Sequence, residues 1–167
     1  MKKLSPALGL AGAMAVSMVG TPALADDAMV VQVKRLSMDT AMKVAKASVD
    51  ACREKGIQIG VTVVDRDGVA QAVLRDTIAP TITLPISEGK AYAAVMFGVA
   101  TSELGERANT PIGRVPGVVM SAGGVPIQVA GSLLGGVGVS GAPSGETDQE
   151  CAQAGVDAVQ TDLEMSM

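Results

Sequence analysis

Between residues 38 and 55 small and apolar side chains recur every three or four positions. Ala41, Val44, Ala45, Ser48, Val49 and Cys52 form one stripe, and Lys43, Lys46, Asp50 and Arg53 lie mostly opposite. This period predicts an amphipathic helix. Ser37 is placed to accept an orphan backbone N–H at its start, and Gly56 to close it with a positive φ. The pattern then turns β-rich at 57–65 and 69–75, around Asp65-Arg66-Asp67-Gly68. That is a hairpin-turn signal. Its functional alternative is a carboxylate pair for a divalent cation, without the further oxygen ligands of a calcium loop. Ala79-Pro80 and Leu84-Pro85 bias 76–84 away from helix. Pro85 suits a first helical turn, and that helix should reach Phe97. Gly98 interrupts it, a short helix is predicted over 101–108, and 109–117 is a Pro/Gly-rich loop.

The last third carries glycines at fixed offsets around short apolar runs. Residues 123–129 and 133–141 read as two strands joined by Ala130-Gly131-Ser132, a hairpin. Glycines inside the second run should mark a bulge or a close approach of backbone or ligand. A polar opening at 144–150 leads into a helix over 147–159, and 160–167 should fray. Ahead of the first helix, 26–35 is a lead-in with an edge strand through Val30, Val31 and Val33. The order is α-β-β-α-α-β-β-α, which predicts one α+β domain at 36–159, an antiparallel sheet with helices on its faces.

Composition narrows the chemistry. There is no histidine, so Ser-His-Asp, Cys-His and His-bearing zinc sites are excluded, and no catalytic residue is assigned. Net charge is −4, with one Tyr, one Phe and no Trp, which argues against nucleic acid as a partner. Lys2 and Lys3, the apolar run 4–20 and Ala23-Leu24-Ala25 before Asp26-Asp27 read as a bacterial secretory signal over 1–25. The expected location is periplasmic or secreted, with no membrane embedding after cleavage. Cys52 and Cys151 would then meet an oxidising compartment. A disulfide and two small core residues both remain open. Gly136, Gly138 and Gly141 also match G-x-G-x-x-G, but about 20 positions on, where a dinucleotide site needs an acidic residue on a strand, stands Thr161. The nucleotide reading fails there.

Several of these runs carry a family resemblance. They are Gly123-Gly124-x-Pro126, Gly136-x-Gly138-Val139-Ser140-Gly141, the acidic helix start, Gly89-Lys90-Ala91-Tyr92-Ala93-Ala94 and Thr101-Ser102-x-Leu104. From Leu36 to Val159 the chain resembles the GlcG/HbpS-like haem-binding (haem-degrading) domain family. The resemblance implies the same layered fold and a haem or tetrapyrrole ligand, and points to the region of Thr101. Without histidine, iron would take a weaker oxygen or sulfur ligand. Thr101, Tyr92 and Met96 are candidates, each with a plain alternative as helix cap, rim aromatic or core filler. Arg107 and Arg114 suit propionates or another carboxylate. Glu103 and Glu106, three apart, would share a helix face as an iron or other hard-cation site, or as a solvated face.

The expected function is an exported haem- or tetrapyrrole-binding protein, non-catalytic or weakly haem-degrading. Degradation would need an electron donor that the chain does not encode. The alternative is a periplasmic accessory protein that binds a small carboxylate metabolite or assists a partner enzyme. A homo-oligomer is expected, packed through Ala91, Ala93, Ala94 and Ala100.

Overall fold

The computed structural model describes residues 29–167. The leader expected at 1–25 lies outside the described residues. No strand passes through Val30, Val31 and Val33, which are exposed. The sheet takes none of its strands from this stretch, and a short apolar run without a ladder partner has nothing to bond.

Helix α1 spans Met38–Glu54. Ser37 caps it by accepting the Thr40 N–H at 3.2 Å, and the six buried residues are those of the expected stripe. Strands β1 (Gly60–Asp65) and β2 (Ala70–Arg75) pair antiparallel. Gly68 supplies φ +82° at their turn, and Asp65 Oδ1 accepts the N–H groups of Asp67 at 2.9 Å and Val69 at 3.0 Å. Burial works to raise the Asp65 carboxyl, but these two donors and Arg35 outweigh it and hold the group below its ordinary range. Arg35 pairs with both Asp65 and Asp67. The carboxylates of this turn are therefore matched by a guanidinium of the same chain.

Helix α2 runs Thr83–Phe97 and ends at Gly98 with φ +67°. It starts ahead of Pro85, whose missing N–H falls among the first-turn donors that have no helical partner. The helix expected at 101–108 is instead two short 3₁₀ turns, Thr101–Leu104 and Arg107–Asn109, and a third follows at Pro111–Arg114. Strands β3 (Gly124–Val129) and β4 (Ser132–Ser140) form the second hairpin. Its turn residues Ala130 and Gly131 both have positive φ, as a two-residue primed turn requires. Ile127 pairs with Gly135 and Gln128 with Leu133, so the expected bulge falls at Leu134. Helix α3 spans Gly145–Ser166. The tail expected to fray thus continues as helix.

The sheet order is β2-β1-β4-β3, antiparallel throughout. Helices α1 and α3 cover one face over Val61, Val63, Ile127, Val137 and Val139, and α2 lies on the other over Val64. A bond between Cys52 and Cys151, Cα atoms 5.5 Å apart, ties α1 to α3 within the larger core. The fold is α+β. Among the described residues no helix is long and apolar enough to cross a membrane.

Candidate functional site

Helix α2 carries three environments on three sides, and the site follows from how close it comes to the sheet. A Cβ at Gly136 would sit 2.6 Å from Val95 Cγ2, and one at Gly138 would sit 2.0 Å from the Ser87 carbonyl oxygen. The glycines of β4 therefore let α2 lie almost on the sheet backbone. Ser87 and Thr62 share a buried hydrogen bond of 2.9 Å across this contact. On a second side Ala93 packs with Leu104 and Met120, supported by Phe97, Val99 and Val118. Ala91, Ala93 and Ala94 have no exposed surface. They are spent on packing within the chain, which corrects the expectation that they form a subunit interface.

The third side forms a cleft of about 280 Å³ lined by Gly68, Glu88, Gly89, Tyr92, Pro116 and Gly117. Tyr92 is half-buried, and a Cβ at Gly68 would fall 2.5 Å from its ring and 3.1 Å from Met96 Cε. Glu88 and Tyr92 are one helical turn apart, so both project to one side. The β1–β2 turn and the Pro116-Gly117 segment complete the walls. A depression of about 180 Å³ lies elsewhere, between Ser102, Ala122 and the first turns of α3. A shallow groove of about 600 Å³ runs along α1 beside Leu74. Its Lys46 and Asp50 are paired with each other, and it contains none of the candidate residues.

The segment 98–123 is tied to α2 at one place and to the start of β3 at another. Val119 N–H donates to the Gly89 carbonyl at 3.2 Å. Gly124 N–H donates to Thr101 Oγ1 at 2.8 Å. Thr101 is fully buried by this contact, and the helix-cap position belongs to Ala100. Beneath Gly123 and Gly124 lies a buried ion pair. Lys90 Nζ donates to Asp148 Oδ2 at 2.8 Å and to the Val139 carbonyl at 3.0 Å, and Asp148 Oδ1 accepts the Ala142 N–H at 2.9 Å. Burial pushes the Asp148 carboxyl up, against the pull of Lys90 and Ala142.

Tyr92 and Met96 are thus brought together, and Thr101 is set apart from them in the packing. Glu103 and Glu106 are exposed, Glu103 within the first 3₁₀ turn and Glu106 at the cap before the second, rather than on one helix face. Arg107 lies over the Phe97 ring, 5.5 Å from its centroid. Arg114 is exposed at the end of the third 3₁₀ turn, and neither arginine has an ion-pair partner among the described residues. Among those residues no three His, Cys, Asp or Glu side chains gather into a metal-binding group. Sequence reasoning missed Glu88, the cleft itself and the Lys90–Asp148 pair. One signal was present: Lys90 opens the uncharged run 91–97, and a lysine drawn in with such a run has to find a buried partner.

Residues 36–157 match the family model of the haem degrading protein HbpS-like group. A double glutamate-to-aspartate mutant of Streptomyces reticuli HbpS is 34% identical, with TM-score 0.76 over 84% of this chain and 97% of that one. The Klebsiella pneumoniae protein ORFY is 25% identical, with TM-score 0.74 over 80% and 97%. The PduOC protein, crystallised as a haem complex, is 27% identical, with TM-score 0.68 over 74% and 94%. No curated protein sequence matches at a comparable level. With the α2–β4 contact, both hairpins and the 98–123 segment all inside the matched span, the chain belongs to the HbpS-like haem-degrading family.

Proposed function

We propose that this protein binds haem or a related tetrapyrrole at the α2 cleft, exported and as a homo-oligomer, with no catalytic residue of its own. The family match across 36–157 carries the reading, supported by a relative crystallised with haem. The cleft's volume of about 280 Å³ sits just under the ~300–1,000 Å³ of ordinary ligand pockets. A cleft of this size would enclose only part of a macrocycle, which fits completion by a second copy. The exposed apolar side chains Val69, Val73, Ile82 and Met96 support that. The Cys52–Cys151 bond fits an oxidising compartment and so export.

Tyr92 is the favoured iron ligand, since phenolate is a known haem ligand and its ring lines the cleft. Met96 is the alternative. Arg114 and Arg107, outside any ion pair among the described residues, would suit propionates. Glu103 and Glu106 are proposed as a peripheral iron site. The Streptomyces double mutant has its two exchanged glutamates at the same spacing of three.

Haem titration of tag-free mature protein, followed at the Soret band, tests the reading. Tyr92→Phe should shift the band and weaken binding. Arg114→Ala should weaken it by roughly 1.5–3 kcal/mol, the range for a charged hydrogen bond. Binding no stronger than to an unrelated acidic protein removes haem and leaves a small carboxylate at Arg114 as the ligand. Light scattering showing a monomer at every concentration removes the oligomer.

A further inference from the structure

The wall of the cleft belongs to a segment that contributes little regular structure, and something has to hold it. From Gly98 it passes through three 3₁₀ turns and returns across α2 at Gly117–Val119 before entering β3. Two of its attachments, Val119 to Gly89 and Thr101 to Gly124, fall beside one residue, Lys90. A Cβ at Gly89 would meet Val119 Cγ2 at 2.6 Å and the Gly117 carbonyl at 3.0 Å. One at Gly124 would meet the Lys90 carbonyl at 2.4 Å, and one at Gly123 would fall 2.6 Å from Lys90 Nζ and 2.9 Å from Asp148 Cβ. Val139, which accepts from Lys90 through its carbonyl, also donates its N–H to Gly123 at 2.9 Å.

We propose that the buried Lys90–Asp148 pair is a positioning device for the ligand cleft: it seats Gly123-Gly124, and through them sets the segment carrying Pro116 and Gly117 against Tyr92. The proposal rests on the haem-site reading above for its ligand but not for its geometry. The pair reaches three elements at once, since Lys90 is on α2, Val139 on β4 and Asp148 in the first turn of α3. Both side chains are at most 6% exposed. For stability alone such a pair has little advantage, because uncharged side chains of similar volume commonly serve as well. What an ion pair adds is direction: the ammonium points at Asp148 and Val139, and Gly123, without a Cβ, lies directly against it.

The test uses the mature protein with its disulfide intact and the variant Lys90→Met/Asp148→Asn, which removes both charges and keeps an acceptor for Ala142. Amide hydrogen exchange is followed at Val119 and Gly124, with Val44 and Val49 of α1 as references. A positioning role predicts a thermal midpoint near the parent's and protection at Val119 and Gly124 almost entirely lost, with α1 unchanged. Haem affinity should then fall by about tenfold or more, since a wall in place only about a tenth of the time weakens apparent binding about tenfold. If the double variant does not fold, Lys90→Arg, which keeps the charge opposite Asp148 but not the ammonium's geometry, should show the same local pattern at smaller amplitude.

Unchanged protection at Val119 and Gly124 overturns the proposal. So does a loss spread evenly over α1 and the segment, the mark of a purely structural pair. Local loosening with unchanged haem affinity also overturns it. Should the parent bind no haem, the ligand reading fails, and the exchange data still decide whether the pair seats the segment.

Discussion

Replacing Gly138 by alanine probes the contact that brings α2 onto the sheet. The added Cβ falls 2.0 Å from the Ser87 carbonyl oxygen, 2.6 Å from the Ala91 nitrogen and 3.1 Å from Lys90 Cβ, where real Cβ contacts stay above 3.0 Å. Two of these three atoms are backbone, so no side chain can swing aside. The helix itself has to retreat by about 1 Å, and the Thr62–Ser87 bond sits on the same turn. Overpacking a filled core costs about 1–3 kcal/mol. With helix backbone as the obstacle we expect about 3 kcal/mol for Gly138→Ala and more for Gly138→Val. Against a total stability of about 5–15 kcal/mol this is a large share, equivalent to a midpoint lowered by about 6–12 °C. The assay is denaturant and thermal unfolding by circular dichroism. Gly105→Ala is the control, because Gly105 has φ −52° and nothing within 4 Å of an added Cβ. A Gly138→Ala protein melting with the parent and the control refutes the reasoning. Intact melting of Gly138→Val with lost ligand binding would make Gly138 a site residue instead.

Three further outcomes are expected. Reducing or removing the Cys52–Cys151 bond, which closes a loop of sequence separation 99, should cost roughly 2–5 kcal/mol, read as the difference in denaturant unfolding with and without reductant. Lys90→Met alone leaves the Asp148 carboxylate buried without its partner and should cost about 3–5 kcal/mol, far more than the double neutral variant. Asp76, which takes two hydrogen bonds from Arg53 at 2.7 and 2.8 Å, is held down from 3.8 to about 2, chiefly by that contact. The unfolded chain binds this proton more tightly, so the stabilisation is complete above 3.8 and lost as pH falls through about 2. Unfolding of Asp76→Asn and parent from pH 7 downward should therefore converge near pH 2.

Elements whose signal is local were readable from sequence. The α1 stripe, its Ser37 cap, Gly56, the Asp65–Gly68 turn and the second hairpin all follow from period and turn chemistry within a few residues. The strand through Val30, Val31 and Val33 failed because strand formation depends on a partner that the local run does not reveal. The helix over 101–108 failed because Thr101 and Leu104 are drawn into separate tertiary contacts, with Gly124 and with the Ala93 cluster. The cleft was unreadable for the same reason. Its lining comes from a β-turn, one side of α2 and a loop, and no spacing in the chain links Gly68 to Tyr92 or to Pro116.

The motifs that carry the family resemblance occupy a particular place in the structure. Gly136 and Gly138 meet α2, Gly124 meets the Lys90 carbonyl, Ala91 packs with Val64 and Val95, Ala93 packs with Leu104 and Met120, and Thr101 bonds Gly124. Each is a packing or seating residue at the junction of α2, β4 and the 98–123 segment. Their job is to let backbones approach and to keep one geometry, and that requirement holds whichever ligand the cleft receives. Of the residues that line the cleft, Gly68, Glu88, Pro116 and Gly117 lie outside the quoted motifs, and Gly89 and Tyr92 lie inside them. A chain can therefore match the family across 36–157 through motifs that mostly shape this junction, with most of the cleft's lining outside them. Binding measured on variants of those lining residues, with the junction left intact, separates what the fold dictates from what the cleft selects.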